Sequence, residues 1–202
     1  MTQMKNVVVI GDEEIGKTTL INALLGWDIL PQSYDGIYIH TETCIWQQLT
    51  ETVFLTDTPG YSLLWNTIPE ETASAVSEAD TIVVMLSEEL AEEGIDIPSM
   101  DMEWETCRVS EAALLSRLLE QGNTRDIYFV LPCDKQEWPE REVPLTQYLR
   151  LARKRFGGMT CHGEAGVFCI DPMQALIAAI EDDEAALKQS GILPLKAKLT
   201  AQ

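Results

Sequence analysis

The chain has 202 residues, enough for one α/β domain with a sizeable core and too few for two domains of ordinary size, so residues 1–202 read as a single domain. Its 33 acidic residues against 14 Lys and Arg give a formal net charge of −19, which argues against nucleic acid and anionic membrane as partners and leaves a basic protein surface as the sharper alternative to simple solubility. No apolar run approaches the ~20 residues of a membrane-spanning helix, and the N-terminus lacks the segments of a signal peptide, so a cytoplasmic protein with no membrane insertion is expected.

In chain order, apolar runs rich in β-branched residues predict strands at 6–10, 53–56, 81–86, 127–131 and 167–170. They lack strict alternation, which points to strands covered on both faces. Helical patterns fall between them. Leu20, Ile21, Leu24 and Leu25 form an apolar stripe closed by Gly26, and residues 111–119 carry Leu114, Leu115, Leu118 and Leu119 in a similar arrangement. A third helix is predicted over 172–187, opened by the capping residue Asp171 and the first-turn proline Pro172, with Leu176, Ile177, Ile180 and Leu187 as its stripe.

One segment, 37–46, alternates more cleanly, with Ile37, Ile39, Thr41, Thr43 and Ile45 on one face. It predicts a half-buried edge strand forming a hairpin with the strand that ends at Thr56. The expected fold is therefore α/β, a six-stranded, mostly parallel sheet with one antiparallel edge strand and helices on both faces. Residues 87–106 are acidic and poorly periodic and read as an extended loop or insertion, and 136–144 as another loop.

The five cysteines, Cys44, Cys107, Cys133, Cys161 and Cys169, are odd in number and scattered, which does not point to a disulfide framework. Cys133 and Cys169 stand at the ends of apolar runs, where cysteine usually acts as a small buried hydrophobe. Cys161 beside His162 has no second pair at ligand spacing to complete a closed metal site.

Gly11, Asp12, Glu13, Glu14, Ile15, Gly16, Lys17 and Thr18, followed by Thr19, match G-x-x-x-x-G-K-[ST] between a predicted strand and a predicted helix, the context in which that pattern has physical meaning. Glycines let the backbone approach phosphates closely, successive amide N–H groups form an anion nest, and the helix adds its positive end. Lys17 is expected on the β- and γ-phosphates and the Thr18 hydroxyl on Mg²⁺. Glu13 and Glu14 are unusual there and should weaken nucleotide binding unless they point to solvent or a cation lies between them. Asp57, Thr58, Pro59 and Gly60 follow a strand at the distance where a carboxylate can hold Mg²⁺ and a glycine N–H can reach a γ-phosphate. The catalytic expectation therefore rests on Lys17 and Gly60.

With these two motifs the chain resembles the translation-factor-related P-loop GTPases, especially the small bacterial Era-like group, and its compact size is similar to the ethanolamine-utilisation GTPases. The resemblance carries over Gly16 to Gly26 and Asp57 to Gly60 and implies a GTP/GDP ligand with Mg²⁺. It also implies a threonine before the edge strand that closes over the metal when the triphosphate is present, a place for which Ser33 is the candidate because Thr41 and Thr43 fall inside the predicted strand. Tyr61 stands where many relatives place a catalytic glutamine, so water must be positioned by another group. The guanine-reading motif corresponds to Leu131, Pro132, Cys133 and Asp134, with Lys135 beside it, and retains only the aspartate, which can still accept from guanine N1 and N2. The fifth motif corresponds to Asp171, Pro172 and Met173.

The reading is a slow, Mg²⁺-dependent GTPase acting as a nucleotide-controlled switch on a protein partner, with a nucleotide-dependent dimer, a cation or a partner supplying the missing catalytic group. The alternative is a degenerate GTPase serving as an interaction scaffold. A small-molecule kinase is disfavoured because the basic residues cluster around Arg150 to Arg155 on a predicted helix instead of over the phosphates.

Overall fold

The computed structural model describes residues 4–31, 41–62, 65–86, 95–97, 107–109, 114–115, 117–118, 126–132 and 166–201. Six strands form the main sheet: β1 (Lys5–Gly11), β2 (Ile45–Gln48), β3 (Val53–Asp57), β4 (Thr81–Met85), β7 (Asp126–Pro132) and β8 (Val167–Ile170), in the spatial order β2-β3-β1-β4-β7-β8. Every neighbouring pair is parallel except β2 with β3, which is the mixed sheet expected from the sequence.

The absence of alternation in the strand sequences has its cause in the packing. Val7 and Val9 point into one core with Leu55, Val83 and Val130, while Val8 and Ile10 point into the other with Ile82, Val84 and Phe129. Both faces exclude water, so successive residues are all apolar. Helices α1 (Lys17–Leu25), α3 (Pro172–Ile180) and α5 (Ile192–Thr200) cover the first face through Leu20, Leu24, Leu176, Leu195 and Leu199. Helix α2 (Glu70–Ser77) and the helical residues Leu114, Leu115 and Leu118 cover the second. Gly26, at φ 83°, ends α1, and its N–H donates to the Asn22 carbonyl.

Three expectations change. The edge strand is shorter and later than 37–46: it occupies Ile45–Gln48, residues 41–44 are not strand, and 37–40 lie outside the described residues. The pairing Ile45↔Asp57 sets this limit, because β3 ends at Asp57 and offers no partner to the residues before Ile45. The helix over 172–187 is two helices, α3 and α4 (Glu184–Gln189). Between them Asp182 adopts φ 57°, and the Asp183 carboxylate accepts from the Ala185 and Ala186 amides as the cap of α4. Its buried face is Ala175, Leu176 and Ala178, whereas Ile177 and Ile180 face solvent. Within 87–106, Ile95–Ile97 is a strand, β5, paired antiparallel with β6 (Cys107–Val109) in a separate two-stranded sheet.

Helices α2 and α5 escaped the sequence reading. The first is short and begins with two glutamates, and the second carries Pro194 in its first turn, where proline is tolerated. Cys169 is disulfide-bonded, which corrects its reading as a plain buried hydrophobe; Cys133 and Cys161 lie outside the described residues. No helix of the described residues is long and apolar enough to cross a membrane.

Candidate functional site

Parallel strands deliver their C-terminal ends to one edge of a sheet, the edge where ligands of open α/β folds sit. Here β1 ends at Gly11, β3 at Asp57, β7 at Pro132 and β8 at Ile170, so the loops carrying all the predicted motifs leave from the same edge.

The segment from Gly11 to Thr19 makes a tight strand-to-helix turn. Gly11 is buried at the end of β1, Ile15 packs against the first core, Glu13 and Glu14 are exposed, and Gly16 is the N-cap of α1. Gly16 has φ 94°, a left-handed conformation that a side chain would disfavour, and the loop thereby turns back into the helix. Lys17 folds over this turn and donates from Nζ to the Asp12 carbonyl at 2.7 Å, with only 6% of the residue exposed. Its burial lowers the ammonium to about 8, against the opposing pull of Asp57, Asp12 and Glu13. A cation stripped of water in this way is suited to a polyanionic ligand.

Thr18, in the first turn of α1, donates from Oγ1 to Asp57 Oδ2 at 2.7 Å. Thr41 Oγ1 donates to the same oxygen at 3.2 Å. The other oxygen, Asp57 Oδ1, is buried with no hydrogen-bond partner. Burial raises the Asp57 carboxyl above its ordinary range, opposed by the Thr18 hydroxyl, Lys17, Thr41 and the Thr58 amide. A buried carboxylate oxygen left unsatisfied costs free energy unless a donor or cation completes it. Among the described residues no group of three or more His, Cys, Asp and Glu could hold a metal by itself. The donor set instead fits Mg²⁺, which takes one or two protein oxygens and draws the rest of its shell from phosphate and water.

Asp57 is followed by a segment clamped from three sides. Thr58 Oγ1 donates to the Val9 carbonyl at 2.8 Å, Thr72 Oγ1 from α2 donates to the Pro59 carbonyl at 2.7 Å, and Tyr61 pairs with the P-loop. The Tyr61 N–H donates to the Gly11 carbonyl at 3.2 Å and the Glu13 N–H to the Tyr61 carbonyl at 3.0 Å. Gly60 is thus pressed against the loop: a Cβ there would stand 2.7 Å from the Glu13 backbone and 2.9 Å from Lys17 Nζ.

The structure therefore brings Gly11 to Thr19 together with Asp57 and Gly60. Asp171 and Pro172 lie at the start of α3, where the Asp171 carboxylate accepts from the Gln174 amide at 2.9 Å. They leave the sheet beside the end of β7, as the register Pro132↔Ile170 requires. Ser33, Cys133, Asp134 and Lys135 lie outside the described residues. Sequence reasoning set Thr41 aside because it placed the residue inside a strand. The usable signal was the spacing to the β2–β3 turn, which fixes the register and leaves Thr41 free to reach Asp57.

Residues 6–132 match the sequence pattern of the 50S ribosome-binding GTPases. The chain belongs to this GTPase family. It is a GTP-binding protein in the sense that its family defines. Among solved structures it is similar to Aquifex aeolicus Era bound to GDP and aluminium fluoride, with 18% identity and a TM-score of 0.50 over 93% of this chain and 57% of that one. It is likewise similar to Era in complex with the Mg²⁺ salt of GDPNP and a segment of 16S ribosomal RNA, with 18% identity and a TM-score of 0.51 over 94% and 57% of the two chains. At this identity the likeness shows the fold, and the chain spans little more than half the length of either structure. Among curated proteins none matches the sequence significantly.

Within this GTPase domain Glu14 stands at φ 62°, a left-handed conformation that costs a residue with a Cβ ~1 kcal/mol. Glu14→Gly is expected to stabilise the fold by about that amount and, by removing an exposed negative charge from the loop, to tighten phosphate binding several-fold. Chemical denaturation and nucleotide titration of the variant check both effects; a fall in stability would show that the Glu14 side chain contributes more than the strain it imposes.

Proposed function

We propose that the chain is a Mg²⁺-dependent GTPase of low intrinsic rate whose nucleotide state controls a protein partner. The observation that carries this reading is the pairing of Thr18 Oγ1 with Asp57 Oδ2 at 2.7 Å, beside an unpartnered Asp57 Oδ1 and a buried Lys17. A hydroxyl and a carboxylate held in contact next to a desolvated ammonium suit a metal-chelated polyphosphate. Lys17 binds the β- and γ-phosphates, the amides from Gly16 to Thr19 orient them, and Thr18 and Asp57 hold the metal, Asp57 directly or through water. Bound Mg²⁺ supplies charge neutralisation of the phosphate oxygens. Gly60 presents its N–H toward the γ-phosphate position, and Asp134, Cys133, Lys135, Asp171 and Pro172 form the guanine side of the site.

The low rate follows from Tyr61. Its side chain is fully buried in the second core, so the position after Gly60 offers no group to orient an attacking water. Intrinsic turnover then depends on a group supplied by a second copy, a cation or a partner. The burial of Tyr61 also favours the second reading, a nucleotide-binding scaffold without turnover. Phosphate release by the purified protein with GTP and Mg²⁺, beside calorimetric titration with GTP, GDP and ATP, separates the two. Binding without release selects the scaffold, and no binding of any nucleotide refutes both. The RNA present with Era is not carried over, because the net charge of −19 repels a polyanion and the chain spans 57% of that protein. A cytoplasmic location accords with this reading.

Thr41 is assigned here, ahead of Ser33, as the hydroxyl that closes on the metal. Thr41→Val is expected to weaken GTP binding about fivefold to tenfold, in keeping with one lost hydrogen bond of ~1 kcal/mol, and to leave GDP binding unchanged. Parallel titrations of Thr41→Val and Ser33→Ala check this; an effect confined to the Ser33 variant returns the role to that residue.

A further inference from the structure

Beyond the base-side motif at its start, Asp171 to Met173, helix α3 has an anomaly that the nucleotide site does not use. Of its nine residues, Pro172 to Ile180, only Gln174 is polar. Ala175, Leu176 and Ala178 are buried against the first core, yet Met173, Ile177 and Ile180 are 43%, 47% and 56% exposed. The exposed three are spaced i, i+4 and i+7, one stripe about 10 Å long on the outer face. A helix apolar on all sides belongs in an interior, and here half of it faces solvent.

The stripe runs directly into Glu181, Asp182, Asp183 and Glu184, all exposed. Asp183 caps α4 and Glu184 lies in its first turn, which accounts for those two. Glu181 is the C-cap of α3 and Asp182 makes the left-handed break after it, both through the backbone, so neither place calls for a negative charge. They stand at the negative end of α3, whose last turn holds no basic residue.

We propose that the outer face of α3 is a docking ridge for a basic amphipathic helix of a partner protein. Such a helix covers Met173, Ile177 and Ile180 with its apolar stripe and sets Lys or Arg against Glu181 and Asp182. Charge selects this occupant: a second copy brings the same acidic run and a net charge of −19, and an anionic lipid surface is repelled. The inference does not depend on nucleotide.

The test uses the full chain and a fluorescent synthetic helical peptide with leucines at i, i+4 and i+7 followed by lysines, read by anisotropy. Saturable binding that weakens with salt is expected. Ile177→Ser/Ile180→Ser should reduce it about tenfold, and Glu181→Gln/Asp182→Asn should reduce it several-fold and flatten the salt dependence. Both double variants substitute exposed residues and should keep the wild-type melting temperature and GTP affinity. Absent binding, equal binding of a peptide with glutamates in place of the lysines, or affinity indifferent to the isoleucine pair would each overturn the proposal. So would a concentration-dependent dimer in sedimentation that the isoleucine variant loses, since the ridge would then belong to a second copy.

Discussion

Lys17→Ala is expected to raise the dissociation constant for Mg²⁺-GTP and Mg²⁺-GDP by about a hundredfold, because contacts from an ammonium to phosphate oxygens contribute roughly 1.5–3 kcal/mol each. The apo protein should melt within a few degrees of wild type. Bringing the ammonium from an ordinary 10.5 to about 8 corresponds to a cost of ~3 kcal/mol for keeping it charged in the fold, a cost the variant removes together with the bond to the Asp12 carbonyl and the attraction of the Asp57 charge. The same lowering sets a pH signature. Below pH 8 the residue is protonated folded and unfolded alike. Between about 8 and 10.5 the unfolded chain holds a proton that the folded chain has released, so stability contributed at this residue rises with pH across that window. Nucleotide binding runs the other way. The phosphates restore the charged form, so above pH 8 binding takes up a proton and affinity falls with rising pH by up to about tenfold per unit. Asp57 acts on the acid side: its raised carboxyl must ionise to hold a cation, so Mg²⁺-nucleotide affinity also falls as the medium becomes acidic. Calorimetry in two buffers of different ionisation enthalpy at pH 7 and 9 measures the proton count. Equal affinity at both values, with no uptake at pH 9, would remove Lys17 from the phosphates.

The sheet was legible in the sequence because burial on both faces writes itself as uninterrupted apolar runs, and residues such as Val7 to Ile10 have no other stable use. Where tertiary pairing overrides local pattern, the reading failed. Ile37 to Ile45 alternate as a strand should, yet β3 is five residues long and, among the described residues, its antiparallel partner is Ile45 to Gln48. The 172–187 helix broke because Asp183 prefers to cap and Asp182 can enter the left-handed region, both local chemistry that an apolar stripe conceals. Lys17, Thr18 and Asp57 were legible as a site since the loop pattern fixes backbone geometry along with side chains. Thr41 was not, because its proximity to Asp57 depends on where a neighbouring strand starts. Trp65, an apolar side chain in a segment between strands, is 60% exposed. Its segment folds onto itself through mutual backbone bonds between Ser62 and Thr67, which leave the indole outside.

Gly60→Ala is expected to reduce GTP turnover by about a hundredfold, the scale of losing one preorganised donor at a developing charge, while GDP affinity changes by no more than about threefold. The added Cβ would meet the Glu13 backbone at 2.7 Å, and backbone cannot yield as the tip of a side chain can. The chain from Thr58 to Ser62 must therefore lift off the P-loop. Lifting it breaks the mutual bonds between Tyr61 and the loop at Gly11 and Glu13, and strains the buried anchors from Thr58 to Val9 and from Thr72 to Pro59. Two backbone bonds with their geometry disturbed amount to about 2 kcal/mol of lost stability in the apo protein. Diphosphate binding survives because the loop backbone that the Cβ meets is that of Glu13, ahead of the amides at the start of α1, and Lys17 Nζ, at 2.9 Å, is the end of a flexible side chain that can shift. A γ-phosphate, by contrast, needs the Gly60 N–H held close to Lys17, and only a residue without a side chain permits that approach. Phosphate-release rates and GDP titration on the same preparation give the decisive comparison. Turnover preserved alongside a lowered melting temperature would mean that this contact braces the fold and takes no part in sensing the third phosphate.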